Sequence, residues 1–202
     1  MTIMLDCPDF PCADVHHGRF TLMQPPPSPT DVRLAVIAEA PPVDPDEWFW
    51  ASGDPFFWQT ARRAFAEAGL EVTSADDLPG HGIHLTTAVK CAKAGYGIAA
   101  ATISDCAERI LERELAAFPN LAAIALMGDV AIKSLNSIRR RRDGRRIVPA
   151  GPTWRIRGRY DWDGITVIPS YLFTGRSYLI EASKRTMIAE DLRAALQAAG
   201  LG

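Results

Sequence analysis

Ile83-His-Leu-Thr-Thr-Ala-Val-Lys-Cys91 is a run of seven largely apolar or β-branched residues that stops at a lysine and a cysteine. Such a run reads as a strand buried on both faces of a parallel sheet. A glycine-containing loop, AKAGYGIAAATISD, then leads to Cys106, where a helical pattern begins. One segment thus presents Thr86, Thr87 and Lys90 at the carboxyl end of a strand, with a cysteine on either side of the loop. In open α/β sheets ligands sit in the crevice beyond those carboxyl ends.

Working outward, Val32-Arg-Leu-Ala-Val-Ile-Ala38 and Ala122-Ala-Ile-Ala-Leu-Met127 are two further buried strands. Trp154-Arg-Ile-Arg157 and Ile165-Thr-Val-Ile168 read as strands around a turn at Asp161-Trp-Asp-Gly164. Between them lie helical patterns. Phe56 to Gly69 is amphipathic and closes on a glycine. Thr102-Ile-Ser-Asp105 reads as a cap, followed by Ile103, Ala107, Ile110, Leu111, Leu115 and Phe118 on one face. Asp129 is a candidate cap for the next helix. A last helix from about Leu179 to Ala199 aligns Ile188, Leu192, Ala195 and Leu196. The alternation predicts an α/β three-layer sandwich with a mostly parallel central sheet of about four strands flanked by helices, in one domain over 1–202.

Two stretches stand apart. Residues 1–30 form an amino-terminal arm in which Cys7-Pro-Asp-Phe-Pro-Cys12 is followed by Met23-Gln-Pro-Pro-Pro-Ser-Pro-Thr30. The prolines of the latter exclude a helix or a central strand and predict an extended connector. From Glu39 to Asp54 the chain is a long loop with five acids and three aromatic residues at the end of a core strand. Loops of that length in a compact domain usually serve a site, so this one is expected to wall it.

The chain has 202 residues, 48% of them hydrophobic, and a formal charge of -2, which gives no global preference for nucleic acid. Charge is concentrated locally: Arg139 to Arg146 holds six arginines in eight positions. The run reads either as a solvated loop or as a phosphate-contacting one. No segment approaches the roughly 18 apolar residues of a membrane span, and Met1 to Pro11 lacks the regions of a signal peptide. A cytoplasmic monomer without a membrane partner is expected. In a reducing compartment the four cysteines are candidates for metal binding or simple burial rather than for disulfides. Cys7, Cys12, Cys91 and Cys106 form two local pairs. That is the ligand number of an all-thiolate zinc site or an iron-sulfur cluster, with His16 and His17 as possible substitutes in a zinc site.

In order along the chain stand the cysteine pair, Ala38-Glu-Ala-Pro-Pro42, Gly53-Asp-Pro-Phe56, Thr86-Thr-Ala-Val-Lys-Cys91, Cys106, Met127-Gly128 and Ile168-Pro-Ser-Tyr-Leu172. This series resembles the uracil-DNA glycosylase superfamily, and within it the iron-sulfur enzymes called family 4, over nearly the whole chain. The resemblance implies excision of a base from DNA. The enzymes flip a deoxyuridine out of the stack and hydrolyse its N-glycosidic bond to leave an abasic site.

Carried over residue by residue, the resemblance makes Glu39 the catalytic group that holds the water or the sugar cation. Phe56, or its neighbour Phe57, would stack on the base, and Thr87 and Ala40 would line it. Lys90, Tyr171, Arg176, Arg140 and Arg141 would contact DNA. The cysteines would hold a structural 4Fe-4S cluster, zinc being the other occupant. Two departures stand out. Thr87 replaces the family asparagine, and a hydroxyl has one proton where an amide both donates and accepts. Ile168 replaces the histidine that stabilises charge on uracil, and Thr174 an arginine; Arg176, Tyr171 or Ser177 are candidate replacement donors. The base is accordingly uracil or a related deaminated or modified one. A non-catalytic protein that binds damaged DNA and an iron-sulfur redox sensor are the competing classes.

Overall fold

The structure, a computed structural model, describes Cys7, residues 9–21 and residues 28–202. Most of the proline-rich connector lies outside the described residues. The elements in order are β1 (Val15–Phe20), β2 (Leu34–Ala38), α1 (Phe56–Ala68), β3 (Ile83–Thr87), β4 (Cys91–Lys93), α2 (Ala100–Cys106), α3 (Glu112–Leu115), β5 (Ala123–Met127), α4 (Asp129–Asp143), α5 (Thr153–Ile156), β6 (Tyr160–Trp162), β7 (Ile165–Ser170), α6 (Arg176–Ile180) and α7 (Ala182–Ala199). A single π-turn, Ala107–Leu111, joins α2 to α3.

The central sheet has five strands in the order β3-β2-β5-β7-β6, all parallel except the edge strand β6. The strands read as continuous apolar runs because both faces are covered. Leu34, Val36 and Ala38 of β2 pack with α1 and α7, while Ala35 and Ile37 pack with α3 and α4. The same alternation holds in β5, where Ala123, Ala125 and Met127 face one layer and Ile124 and Leu126 the other. The molecule is therefore a mixed α/β sandwich, with one strand more than the sequence predicts.

The edge strand also lies elsewhere than the sequence predicts. Trp154 to Arg157 is not a strand but the short helix α5, started by Pro152 at its N-cap position. The partner of β7 is instead β6, joined by a two-residue turn in which Asp163 and Gly164 both have positive φ, 54° and 89°.

Other boundaries moved for capping reasons. Gly128, not Asp129, is the N-cap of α4, and Asp129 pairs with Lys133 one turn on. The helix α2 begins at Ala100, two residues before the predicted Thr102 cap. Its free first amides are served by the arm: Asp14 accepts from Ala99 N at 2.6 Å and from the Thr102 hydroxyl. The last helix starts at Ala182, with α6 as a separate turn before it. Helix α1 runs as predicted and ends on Gly69 at φ 100°.

The arm is held by pairing. Strand β1 runs antiparallel to β4, with Val15 opposite Lys93 and Phe20 opposite Cys91, and Thr21 N donates to Lys90 O at 2.8 Å. No helix among the described residues is long and apolar enough to cross a membrane.

Candidate functional site

The chain leaves β2 to form β3 on one side and returns to form β5 on the other, so the strand order reverses direction between β2 and β5. Open parallel sheets bind ligands at such a point, where two adjacent connections leave in opposite directions and open a crevice. Glu39 follows the last residue of β2, and Gly128 follows the last residue of β5. The backbone beyond the strands stays paired: Ala88 N donates to Ala38 O at 2.8 Å, Val89 N to Glu39 O at 2.9 Å, and Gly128 N to Ser170 O at 3.1 Å. Glu39 is thus fixed at its base by the main chain that follows β3.

The carboxylate is held as well. Lys93 Nζ donates to Glu39 Oε2 at 2.7 Å, and the two side chains are only 21% and 15% exposed. Gly128 has φ 107°, and a Cβ there would lie 3.0 Å from Glu39 Oε1. The glycine is required both by its backbone angle and by the approach of the carboxylate.

Behind β3 is a second set of charges. His84 and Thr86 point to the α3 side. Glu114 Oε1 accepts from His84 Nε2 at 3.0 Å and from the Thr86 hydroxyl at 2.8 Å. Lys90 Nζ donates to Glu114 Oε2 at 2.5 Å, to Thr86 Oγ1 at 2.7 Å and to Thr87 O at 2.6 Å. Burial by itself would push the Glu114 carboxyl up, but the Lys90 ammonium and His84 outweigh it and hold it at about 2. Lys90 is 0% exposed. The expectation that it contacts DNA is corrected: all three of its donors are spent inside the protein. Its work is to tie Thr87 and α3 together.

Thr87 is buried at the end of β3, on the same face as Ile83 and Leu85, which pack toward α1. Phe56 opens α1 and is half-buried. Phe57 packs edge-on against Phe49 with centroids 5.6 Å apart, and Phe49 also touches Trp48, Trp50 and Phe173. Of the two phenylalanines, Phe57 is committed to packing. The loop from Glu39 to Asp54 carries this aromatic group and one helical turn, Pro45–Glu47, capped by Asp44. Ala40 is buried among Val15, Val89, Cys91 and Ile103, so its side chain serves packing.

Cys7, Cys12, Cys91 and Cys106 line one cavity, together with Phe10, Val15, Phe20, Val89 and Ile110. All four thiols are free. Burial, then repulsion from Cys106, pushes the Cys91 thiol up to about 12, and burial raises Cys106 to about 11 against the pull of Lys90. Cys91 and Cys106 become thiolates only beside a strong positive charge, as a metal supplies. Among the described residues no three His, Cys, Asp or Glu converge on a single-ion site. The four cysteines line the same cavity, and Lys90 N donates to Cys106 Sγ at 3.4 Å. Four thiolates are the ligand number of an iron-sulfur cluster and of an all-thiolate zinc site alike.

The remaining predicted residues are on α4 and beyond β7. Arg139 to Arg142 are in the last turns of α4, and Arg145 and Arg146 follow its C-cap Gly144 in a loop. Arg139 pairs with Asp143 and Asp163, Arg141 with Glu108 and Glu112, and Arg142 with Glu112 and Asp163. Arg141 is therefore a bracket between helices. Arg140 and Arg146 have no ion-pair partner among the described residues, and with Lys133, Ser104 and Ser137 they line an open groove. Since α4 starts at the strand ends and rises about 1.5 Å per residue, Arg140 lies some ~16 Å along it. Tyr171 is half-buried with Lys184 over its ring at 5.4 Å, and Arg176 is exposed at the start of α6.

Sequence reasoning missed Lys93, His84 and Glu114. Glu114 carried a signal, since it falls on the apolar face between Ile110, Leu111 and Leu115, and His84 is the one ionisable residue in its strand. No family model and no curated protein matches the chain.

Proposed function

We propose that the protein is a DNA glycosylase with a uracil-DNA glycosylase-like fold, which hydrolyses the N-glycosidic bond of uracil or a related altered base and leaves an abasic site. The observation that carries the reading is the placement of Glu39 at the switch point between β2 and β5, pressed against Gly128 and largely withdrawn from water. A carboxylate there suits a reaction in which positive charge develops on a sugar. Phe56 offers a half-buried ring at the start of α1, on the side to which Thr87 faces, where a flipped base would stack.

In this reading Glu39 orients the attacking water and takes its proton, and Thr87 meets the edge of the base. Cys7, Cys12, Cys91 and Cys106 would hold the 4Fe-4S cluster, whose contribution when bound is to fix the arm and the Cys91–Cys106 loop. Lys90 passes that order to the pocket through Thr87 O. Arg140, Arg146 and Arg176 are free to meet phosphates.

The test is alkaline strand cleavage of end-labelled oligonucleotides bearing uracil, hypoxanthine or xanthine after incubation with anaerobically purified protein. Release at one of these bases is expected, and Glu39→Gln should slow it about tenfold or more while leaving DNA affinity largely intact. One observation favours a non-catalytic damage-binding protein instead: Ile168, at the family histidine position, is 1% exposed and has nothing to donate. Tight binding to altered DNA with no release from any of the three bases would establish that second reading.

A further inference from the structure

We propose that Lys93 is a catalytic residue whose ammonium carries the negative charge that collects on the departing base. The inference rests on the glycosylase reading and fills the place left by Ile168. That isoleucine sits in β7 opposite Ala125, inside the sheet, where no change of rotamer could bring a donor to a ligand. Three of the polar groups that follow it are already engaged. Ser170 Oγ donates to Asp191 Oδ2 at 2.6 Å, Ser177 Oγ to Thr174 O at 3.4 Å, and Tyr178 OH to Glu67 Oε2 at 3.0 Å. Lys90 is turned away into Glu114.

Lys93 is the cation that touches the catalytic carboxylate, at 2.7 Å. Its main chain is fixed twice, by pairing with Val15 across the β1–β4 ribbon and by donation from Lys93 N to Pro41 O at 3.2 Å. The charge is therefore placed rigidly at the mouth of the switch-point crevice. Its partial burial strengthens its field relative to a charge in open water.

The pair matches the reaction. When the glycosidic bond stretches, the sugar becomes positive and the base negative, so the transition state is a charge-separated pair. Glu39 and Lys93 form the opposite pair. In the free protein each neutralises the other, and in the transition state the carboxylate faces the sugar and the ammonium faces the base. The water oxygen bonds to C1′, and the C1′–N bond breaks with its electrons leaving on the base. The water's proton passes to Glu39. The base departs as an anion beside Lys93 and is protonated by solvent after release, and Glu39 returns its proton to solvent. The sum is the addition of one water across one bond.

The experiment is single-turnover release from oligonucleotides bearing uracil or 5-fluorouracil, with wild type, Lys93→Gln, Lys93→Met and Lys93→Arg, each checked for iron content and affinity for abasic DNA. Fluorine already stabilises the anion of the leaving base, so a group that stabilises it further matters less there. Loss of the charge should slow uracil release about 10²-fold, the scale of removing one transition-state donor. The loss should be distinctly smaller for 5-fluorouracil, and Lys93→Arg should recover most of it. Equal losses on both bases would show that Lys93 only holds Glu39, and an unchanged rate would show that it does neither; both overturn the proposal. Wild-type protein that releases a purine but neither pyrimidine overturns this role alone, and release of no base overturns the glycosylase reading with it.

Discussion

Glu39 and Gly128 approach so closely that a Cβ on the glycine would lie 3.0 Å from Glu39 Oε1 and 3.2 Å from its Cγ. The residue after one strand thus sets the position of the residue after its neighbour. Gly128 also has φ 107° and ψ 169°, a backbone region nearly closed to other residues. Gly128→Ala is expected to cost about 1–3 kcal/mol of stability. It should also lower base release beyond that of a surface variant of equal stability, since the carboxylate must move. Urea unfolding and single-turnover kinetics on the same sample separate the two effects.

Glu114 makes the protein sensitive to acid. Its carboxyl is held at about 2, against an ordinary 4.5, so the unfolded chain takes up the proton first as pH falls. The stabilisation is complete above pH 4.5 and is lost progressively toward pH 2. Glu114→Gln should flatten that part of the stability curve. Lys90→Met leaves the buried carboxylate with His84 and Thr86 but without its ammonium, and is expected to cost about 3 kcal/mol near neutrality. The double variant Lys90→Met with Glu114→Gln should cost less than the sum of the two. Additive losses in a denaturant series would show that the two residues do not act as a pair.

Phe56 and Phe57 are neighbours with separate duties. Phe57→Ala opens a gap beside Phe49 and should destabilise by about 3 kcal/mol or somewhat less, because Phe57 is only partly buried. Phe56→Ala should cost less stability and more function, weakening the hold on a flipped base by about 1–3 kcal/mol. Thermal melting with binding to DNA containing the altered base tells them apart.

The cysteines should act as a set. Replacing any one of Cys7, Cys12, Cys91 and Cys106 by serine is expected to remove the visible absorption of anaerobically purified protein and to expose residues 9–21 to protease. Iron analysis near four atoms per chain is expected of a 4Fe-4S site. Stoichiometric zinc without iron would assign the cavity to the other metal.

Within the arginine run, function divides by partner. Arg140→Ala and Arg146→Ala should each weaken DNA binding and lower the slope of log affinity against log salt by about one. Arg141→Ala should leave that slope unchanged, because its charge is answered by Glu108 and Glu112. Fluorescence anisotropy over a salt series measures both.

The layered fold was legible because β2 and β5 are apolar on both faces, a pattern that a covered parallel sheet demands. Trp154 to Arg157 was misread because four residues carry no usable period, and Pro152, which starts a helix as readily as it ends a strand, decided the matter. Glu39 and the cysteines could be picked out by type and order. Lys93 could not: nothing in the local sequence tells that a lysine on one short strand will reach an acid 54 positions earlier. The burial of Lys90 was equally hidden, since its partner Glu114 arrives from the far side of a π-turn.

That arm also has a history in time. Val15–Phe20 pairs with Cys91–Lys93, so this ribbon cannot form until some seventy residues beyond Phe20 have left a ribosome. Contacts so distant along the chain form late. The β1–β4 ribbon is therefore expected to be among the last parts to settle, and the thiols of Cys7 and Cys12 stay apart from those of Cys91 and Cys106 until it does.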